Sequence, residues 1–487
     1  MRLSKAHLGL GLAVLLVSSC SDAPTPSGLA SDADAQTTLL LLTQSAQEVG
    51  IEVTNRFVMR YEGELPDEAS TMIAAMGGEV LEEWEEIGYG MVRGIDDAQA
   101  RELDAVLGAG SVTRDLIVQW IPSTEDAIHM QIEGPSVQTD QSGTFFFPTF
   151  QWNLRQIDAD DAWLSTAQAA GTRVAILDTG IDPGHADLQG KVDPASASLL
   201  TPGSSPCGSF DETTILDLNF HGSFVGALVS SAGFAMGSVA PDASLIGVKV
   251  LNCSGSGSFG DVAAGIVYAA SVGADVINMS LGALVPSNPA NPDLKAAIEA
   301  LMDLLQGAID FANEQGTFVV ASSGNDGLNF DDLPDGALHD DKAIHVPSML
   351  DGVLSVGATA PIAQANFDAL ASYTSLGQHG ADVMAPGGDL VPGGFCNTSV
   401  AGPGCDLVLS VCSSFVCGSS TRYVFSAGTS FAAPLAAGAA AVVIGEGKDP
   451  GDCLIRGADR IDGRGNSHAY SRGRINVVGA ATCVDDN

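Results

Sequence analysis

The sequence predicts an α/β domain built on a parallel sheet and preceded by a smaller α+β unit. After residue 150, short runs rich in Val and Ile alternate with helical stretches. The predicted strands lie at 173–177, 245–251, 276–280 and 317–321, and the predicted helices include 261–272 and 293–315. This alternation favours a parallel sheet covered on both faces. Such sheets carry their sites beyond the carboxyl ends of the strands, where Asp178 and Asn325 stand.

The α+β unit is predicted from a second pattern nearer the amino terminus. A strand at 57–61 precedes a helix at 67–76, two strands within 79–95, a helix at 96–107 and a strand at 112–121. Two glycines end the first helix, and Gly88 separates the two middle strands. The order strand–helix–strand–strand–helix–strand, over about 66 residues, predicts a ferredoxin-like unit.

Composition limits the classes of partner. The chain has 487 residues, enough for two or three domains, and 45% of them are hydrophobic, so a large core can form. Lys and Arg number 20 against 59 Asp and Glu, giving a formal net charge of −39. This excess of negative charge argues against a surface for nucleic acid or for an anionic membrane. We therefore expect no nucleic-acid partner.

The first residues predict a targeting segment. Arg2 and Lys5 precede an apolar run at 8–17, which is too short to span a bilayer. The run ends in Val-Ser-Ser-Cys at Cys20, which resembles a bacterial lipoprotein signal with residues 1–19 removed and lipid on Cys20. Residues 20–52 would be a tether or linker, and the chain a cell-envelope lipoprotein that meets the membrane only through its lipid. The alternative is ordinary secretion to the extracellular space.

The other cysteines predict disulfides. Eight remain after Cys20, and an even number in an exported chain favours a disulfide framework. Because eight cysteines allow 105 connectivities, the sequence does not decide among them. Pairing neighbours gives Cys207–Cys253, Cys396–Cys405, Cys412–Cys417 and Cys453–Cys483. A metal site is the alternative, but the paired CxxC spacing of such sites is absent from the sequence.

One serine stands where a nucleophile could be activated. Gly-Thr-Ser-Phe-Ala-Ala-Pro at 428–434 delivers Ser430 to the front of an apolar run, 432–444, which predicts a buried helix. At a helix start, unpaired N–H groups and the positive end of the helix dipole favour an anion. The alternative is a serine that only caps a core helix.

Two further stretches favour the catalytic interpretation. Asp178 ends a short apolar strand, and His221 opens a small-residue helix, so the order along the chain is Asp, His, Ser. With this order the chain resembles the subtilisin-like serine proteases, or subtilases, over roughly residues 150–480. An α/β-hydrolase esterase would need GxSxG and another order, whereas Ala432 stands at the last position of that motif.

The resemblance implies a serine endopeptidase with an acyl-enzyme intermediate and no cofactor required for the chemistry. Ser430 would be the nucleophile, His221 its base, and Asp178 the partner of the imidazole. The segment 321–326 matches the family's oxyanion segment, which gives Asn325 and the Ser430 N–H as the donors. Asn325 as an ordinary turn residue is one alternative. A catalytically inactive binding protein on the same scaffold is another.

Substrate contacts are predicted along two backbone edges, where an extended peptide could add as a strand. Phe259 would rim an apolar pocket further along the peptide. The predicted substrate-binding residues are Ser254, Gly255, Ser256, Gly257, Phe259, Ser280, Leu281, Gly282, Ser322, Ser323 and Gly324. Because the peptide is held through its backbone, we expect broad specificity for protein and peptide substrates.

The small unit at 53–122 resembles the inhibitory propeptide of subtilases, which templates folding and plugs the active site. The chain would then be a self-processing zymogen whose own propeptide is an intramolecular inhibitor, and we expect a monomer. The alternative is a permanent amino-terminal domain. Residues 123–148 predict an exposed linker that carries the maturation site, and 149–487 the peptidase domain.

A calcium ligand is also implied by the resemblance. Asp187 resembles one in the family, so a structural Ca²⁺ is an expectation, with a surface carboxylate as the alternative. The chain departs from the family at two other positions. Phe224 and Leu435 stand where many members have histidines, which affects packing around the site.

Overall fold

The structure is a computed structural model. It describes residues 32–121, 130–135, 145–200, 207, 211–330, 343–377, 380–391, 394–399, 404–461 and 472–484. The predicted signal at 1–19, Cys20 and much of the predicted linker lie outside these residues.

The amino-terminal unit begins with a helix that the sequence did not predict. Helix α1 (Asp32–Glu48) occupies most of the predicted tether. It is held because Leu42 and Ala46 are buried in an apolar cluster that the unit shares with the large domain. The tether prediction is therefore wrong for this helix.

The predicted α+β unit follows helix α1. Its elements are β1 (Glu52–Arg60), α2 (Asp67–Ala75), β2 (Glu79–Trp84), β3 (Tyr89–Arg93), α3 (Asp97–Leu107) and β4 (Val112–Gln119). The strands pair in the order β2-β3-β1-β4, all antiparallel, which is the predicted ferredoxin-like arrangement. Asp96 begins α3 with a capping box that it completes with Gln99. Both helices pack on one face of the sheet through Ile73 and Leu103.

The large domain is an α/β fold, as predicted. Its strands and helices to residue 322 are β5 (Met130–Glu133), α4 (Phe147–Phe150), α5 (Trp152–Gln156), α6 (Ala159–Ser165), β6 (Arg173–Asp178), β7 (Ala197–Ser198), α7 (His221–Val229), β8 (Ser244–Lys249), β9 (Ser256–Ser258), α8 (Phe259–Ser271), β10 (Val276–Met279), β11 (Ala283–Val285), α9 (Pro292–Glu314) and β12 (Phe318–Ser322). The later ones are β13 (Ile344–Val346), β14 (Val353–Ile362), β15 (Ala365–Leu370), β16 (Val383–Pro386), β17 (Val408–Val411), α10 (Ser414–Cys417), β18 (Arg422–Ser426), α11 (Thr429–Gly445), α12 (Pro450–Arg456) and α13 (Val477–Ala481).

The central sheet runs β15-β14-β12-β10-β6-β8-β7, with β16 also paired to β14. Its pairs are parallel except β14 with β15. Side chains of consecutive residues on β6 point to opposite faces of the sheet, and each face packs in a different apolar core. Val174 and Ile176 face the helices α7 and α11, whereas Ala175 and Leu177 face α8 and α9. Both faces of the sheet are therefore buried, which explains why its strands are continuous apolar runs.

The parallel arrangement brings distant segments to one edge. Strand β6 ends at Asp178 and β12 at Ser322, so both carboxyl ends lie on the same side of the sheet. Helix α7 begins at His221 and α11 at Thr429, and the two helices contact each other. The edge that the sequence predicted to carry the site is thus assembled from four elements.

A smaller sheet shows that part of the predicted linker is ordered. Strand β5 pairs with β18, which also pairs with β17. The Glu133 carboxylate accepts from the Arg422 guanidinium at 2.7 Å and from the Thr421 hydroxyl at 2.6 Å. The linker prediction is therefore wrong for 130–133, because these residues form a strand that pairs with the edge of β18.

The four predicted disulfides are confirmed. They join Cys207 to Cys253, Cys396 to Cys405, Cys412 to Cys417 and Cys453 to Cys483. Among the described residues, no single helix is long and apolar enough to cross a membrane. The helices Thr429–Gly445 and Pro450–Arg456 meet the length and composition criteria only as a pair, with a bend of 115° between them.

Two disulfides of different loop length give a stability test. Cys453–Cys483 spans 30 residues and Cys412–Cys417 spans 5. Since a disulfide restricts the unfolded chain more when its loop is longer, replacing both cysteines of the first pair by Ala should cost about 3–4 kcal/mol of unfolding free energy. The matched double variant of the second pair should cost about 2 kcal/mol. Urea unfolding of both variants measures the difference, and an equal or reversed loss would contradict this expectation.

Candidate active site

Asp178 and His221 form a buried pair at the sheet edge. The His221 Nδ1 lies 2.9 Å from each oxygen of the Asp178 carboxylate. Both side chains are almost fully buried, and the Thr179 N–H also donates to Asp178 at 2.7 Å. Because a carboxylate only accepts, the pair places a proton on Nδ1 and leaves the lone pair of neutral His221 on Nε2.

The second imidazole nitrogen is open. His221 Nε2 is buried, and it has no hydrogen-bond partner among the described residues. Buried polar atoms are normally paired, so an exception needs a reason. An unused acceptor on an imidazole already oriented by a carboxylate is what a general base requires.

The loop before His221 is held by Asp217, a residue that sequence reasoning missed. Its carboxylate accepts from the N–H groups of Asn219, Phe220 and Ser223 at 2.8–2.9 Å. Phe220 has φ of +104°, a region that favours glycine, and it is fully buried. The Asp-Leu-Asn pattern just before the helix is a turn signal and could have identified Asp217.

Ser430 lies at the start of helix α11, and the residue after it contacts the imidazole. Phe431, the following residue, has its ring centroid 5.4 Å from that of His221 and 4.3 Å from that of Phe224. Phe224 therefore fills the crossing of α7 and α11, which explains how the chain packs without the histidine common in its relatives. The structure records no hydrogen bond between the Ser430 hydroxyl and His221, and such bonds are often long before a substrate is bound.

Asn325 is oriented by the same helix start. Its Oδ1 accepts from the Thr429 N–H at 2.9 Å and from the Thr429 hydroxyl at 2.8 Å. Because Oδ1 accepts both of these hydrogen bonds, the Nδ2 amide group remains free to donate to a ligand. Asn325 and Ser430 both line a cavity of about 220 Å³.

A strand of the chain itself lies in the cleft. Strand β4 pairs antiparallel with β9, with Ile117 opposite Ser258 and Gln119 opposite Ser256. The predicted peptide-binding edge therefore does pair with an added strand, and in this structure that strand belongs to the amino-terminal unit.

Trp120 crosses between the two predicted edges. Its N–H donates to Gly255 O at 3.1 Å, and its carbonyl accepts from the Gly282 N–H at 3.0 Å. The indole Nε1 donates to Gly257 O at 2.9 Å, and the ring lies 5.2 Å from Phe259 in an edge-on contact. Phe259 thus contacts an aromatic side chain of this segment.

The predicted substrate-binding residues divide into two groups. Eight of them contact segment 117–121 or line the cavity: Ser254, Gly255, Ser256, Gly257, Phe259, Gly282, Ser322 and Gly324. Three do not. Leu281 is buried in the core, Ser323 donates its hydroxyl to Ser375 O, and Ser280 Oγ accepts from Asn278.

The amino-terminal unit is also joined to the large domain by buried charges. The Arg56 guanidinium donates to both oxygens of Asp261, at 2.9 and 3.0 Å, and to Asp115 at 2.8 Å. Asp115 accepts in addition from the Gly260 N–H at the start of α8. Burial raises the pKa of the Asp115 carboxyl, although Arg56 acts in the opposite direction.

Asp187 does not fit a calcium site, which corrects the expectation from the sequence. It is fully buried, so it is not a surface carboxylate either. Its oxygens accept from the Ser231 hydroxyl at 2.8 Å, the Phe234 N–H at 2.6 Å and the Tyr423 hydroxyl at 2.5 Å. Burial, together with the nearby carboxylate of Asp187, raises the pKa of Tyr423, so that hydroxyl stays a donor. Donors, and not further oxygen ligands, surround this anion.

One group of potential metal ligands occurs among the described residues. It consists of Cys207, Glu212 and Cys253, and the two cysteines are joined in a disulfide. Their sulfurs are therefore not thiolates, the form that binds a metal.

Comparison with known proteins identifies the family. The family model for Peptidase_S8, the Subtilase family, matches residues 169–450. The chain is 31% identical over 337 residues to subtilisin DY of Bacillus licheniformis, covering 68% of this chain and 99% of the relative. It is 28% identical to thermitase of Thermoactinomyces vulgaris, covering 69% of this chain and 97% of the relative.

A solved structure shows the same fold. The crystal structure of the epidermin leader peptide processing serine protease of Staphylococcus aureus superposes with a TM-score of 0.66. The alignment covers 88% of this chain and 97% of that chain, at 21% identity. With the family match spanning more than half of its length, the chain belongs to the subtilase family of serine proteases.

Proposed function

We propose that this subtilase hydrolyses peptide bonds with Ser430 as nucleophile, His221 as base and Asp178 as the partner of the imidazole. The observation that carries the proposal is the buried Asp178–His221 pair with an open Nε2, at the edge where helix α11 begins. Sequence order, sheet topology and the packing of Phe431 on His221 all support the assignment.

The reaction follows from the roles of these groups. His221 Nε2 takes the proton of the Ser430 hydroxyl as the oxygen attacks the peptide carbonyl, and Asp178 stabilises the imidazolium that forms. Asn325 Nδ2 and the Ser430 N–H donate to the oxyanion. The imidazolium then gives its proton to the leaving amine, and water hydrolyses the acyl-enzyme by the same route.

The amino-terminal unit is proposed as an inhibitory propeptide. Two contacts support this: segment 117–121 occupies the peptide-binding edge, and Arg56 joins the unit to helix α8 through buried charges. A peptide substrate could not add to strand β9 while β4 is paired there. Maturation would cut within the predicted linker 123–148 and free this edge.

Export and lipid attachment are proposed from the sequence, with Cys20 as the lipidated residue. Four disulfides support a route through an oxidising compartment.

Self-processing gives the first test of the triad. In a host lacking other proteases, Ser430→Ala should accumulate as a chain in which the amino-terminal unit remains covalently joined, because the nucleophile is missing. Intact-mass measurement follows the processing, and Ser271→Ala, an exposed serine at the end of α8, is the matched control.

A fluorophosphonate probe separates the enzyme from an inactive binding protein. Processed wild-type protein should be labelled at Ser430, and the alanine variant should not. Normal maturation of Ser430→Ala would end self-processing, and a folded, processed protein that resists the probe would end the catalytic assignment.

The buried charge cluster gives a test of inhibition by the propeptide. Arg56→Met leaves Asp115 and Asp261 buried without their cation, which costs about 3–5 kcal/mol in comparable pairs. In the full chain, the interval between cleavage of the linker and the appearance of activity should shorten. Arg93→Met removes an exposed ion pair of the same unit and should leave the interval unchanged.

Asp261→Asn removes the carboxylate charge that the large domain contributes to the cluster. It should also shorten the interval between cleavage of the linker and the appearance of activity. An unchanged interval in both Arg56→Met and Asp261→Asn would show that the cluster does not retain the inhibitor.

The geometry at Asp187 predicts that its loop needs no calcium. Any change that a chelator makes to the thermal midpoint should therefore be the same in the wild type and in Asp187→Asn. Asp187→Asn should lower the unfolding free energy by about 2–3 kcal/mol, because the bonds to a charged acceptor are lost and the amide N–H₂ faces other donors. Asp242→Asn, at an exposed carboxylate, is the control. A fall in the midpoint with chelator that is abolished in Asp187→Asn would restore the calcium assignment.

A further inference from the structure

A cavity lies beside Ser430, the proposed nucleophile. It measures about 220 Å³ and is closed on one side by segment 119–121 of the chain itself. The other lining residues are Gly282, Ala283, Leu284, Ser322, Gly324, Asn325, Asp326, His345 and Thr429. Sequence analysis selected neither Asp326 nor His345.

His345 forms one wall of this cavity. It lies on strand β13, which pairs with β11 so that His345 stands opposite Leu284. Its ring lies between two glycines, since Nε2 is 2.6 Å from the position that a Cβ would take on either Gly282 or Gly324. No larger residue than glycine fits at either position while the ring is there.

One ring nitrogen of His345 has a hydrogen-bond partner. Nδ1 lies 2.7 Å from the Ser348 hydroxyl oxygen, and that hydroxyl donates to the His345 carbonyl at 3.4 Å. In the tautomer in which the Ser348 oxygen accepts from Nδ1–H, the lone pair of the ring is on Nε2. Burial lowers the pKa of His345 to about 4, so the ring is neutral at neutral pH.

Asp326 places a second acceptor beside the first. Its Oδ2 lies 3.2 Å from the Cβ position of Gly324, the same point that lies 2.6 Å from His345 Nε2. Within the described residues no hydrogen bond involves this Nε2, although the His345 side chain is 97% buried. Nε2 of His345 and Oδ2 of Asp326 thus both lie beside Gly324, and all three residues line the cavity.

The charge of the cavity has one sign. Among the described lining residues the single charged side chain is the carboxylate of Asp326, and none is Lys or Arg. An acidic substrate side chain would be repelled there. An apolar one would remove water from Nε2 and the carboxylate without replacing their hydrogen bonds, which costs free energy.

We propose that this cavity receives the side chain of Lys or Arg at the substrate position on the amino side of the cleaved bond, with Asp326 and His345 Nε2 as its acceptors. The inference rests on the proposed function, because it takes Ser430 as the nucleophile. It narrows the broad specificity that backbone binding alone would give.

The experiment uses processed wild-type protein and peptides that differ only at this position. The set carries Arg, Lys, Gln, Leu, Ala and Glu. Because hydrogen bonds to charged groups contribute roughly 10–100-fold, kcat/KM for Arg and Lys should exceed that for Leu by at least about tenfold. Fluorophosphonate labelling of Ser430 gives the concentration of active sites in every sample.

Two variants test the residues. Asp326→Asn should lower the Arg-to-Leu ratio of kcat/KM by about tenfold, with the loss mainly in the Arg value. Asp310→Asn removes an exposed carboxylate from helix α9 and should leave the ratio unchanged. His345→Leu should lower the ratio in the same direction, and its folding is checked by the same labelling.

The outcomes distinguish the two proposals. Labelled enzyme that prefers Leu or Ala would overturn the basic-residue inference and leave the proposed function standing. A ratio that stays the same in Asp326→Asn would exclude Asp326 as the acceptor. Protein that neither labels nor cleaves any peptide would contradict the proposed function itself.

Discussion

The hydrogen bond between Asp178 and His221 is the interaction on which the arrangement of this site depends. It fixes the tautomer of the imidazole and so leaves Nε2 as the acceptor. The bond exists because strand β6 ends where helix α7 begins. The Asp217 carboxylate accepts hydrogen bonds from three backbone N–H groups at the start of helix α7. One of these donors is Phe220, whose positive φ is stabilised in this way. The proposed chemistry therefore depends on a turn held by the carboxylate of Asp217, to which the proposal gives no part in the reaction.

The two cores of the large domain make that geometry rigid. Strand β6 sends Ile176 into one core and Leu177 into the other, so Asp178 continues from a strand that packing holds on both faces. Helix α11 is buried on all sides from Thr429 onward, which explains its apolar composition and the absence of a polar face. Ser430 consequently stands at a fixed point, next to a ring that packs against His221.

The amino-terminal unit uses two kinds of contact on the large domain. The pairing of β4 with β9 is made by backbone hydrogen bonds and does not depend on particular side chains. Backbone hydrogen bonds of a substrate along the same edge would not depend on them either. The Arg56 cluster is specific, because a buried guanidinium between two carboxylates has few alternative partners. Since the cluster joins the two parts away from the triad, retention of the unit and occupation of the cleft are separate properties of the interface.

The sequence by itself determined the fold class, the α+β unit and the candidate residues Asp178, His221, Asn325 and Ser430. These follow from local patterns: hydrophobic periodicity, helix starts and short motifs whose order along the chain is informative. The sequence left the cysteine pairing open among 105 connectivities, and the structure joins neighbouring cysteines. Only the tertiary structure decided that Trp120 crosses the cleft, that 32–48 is a helix, that donors saturate Asp187, and that His345 and Asp326 border the cavity beside Ser430. Each of these depends on a contact between segments far apart in the chain. A single side chain carries no local signal of the partner it will meet when the strands assemble.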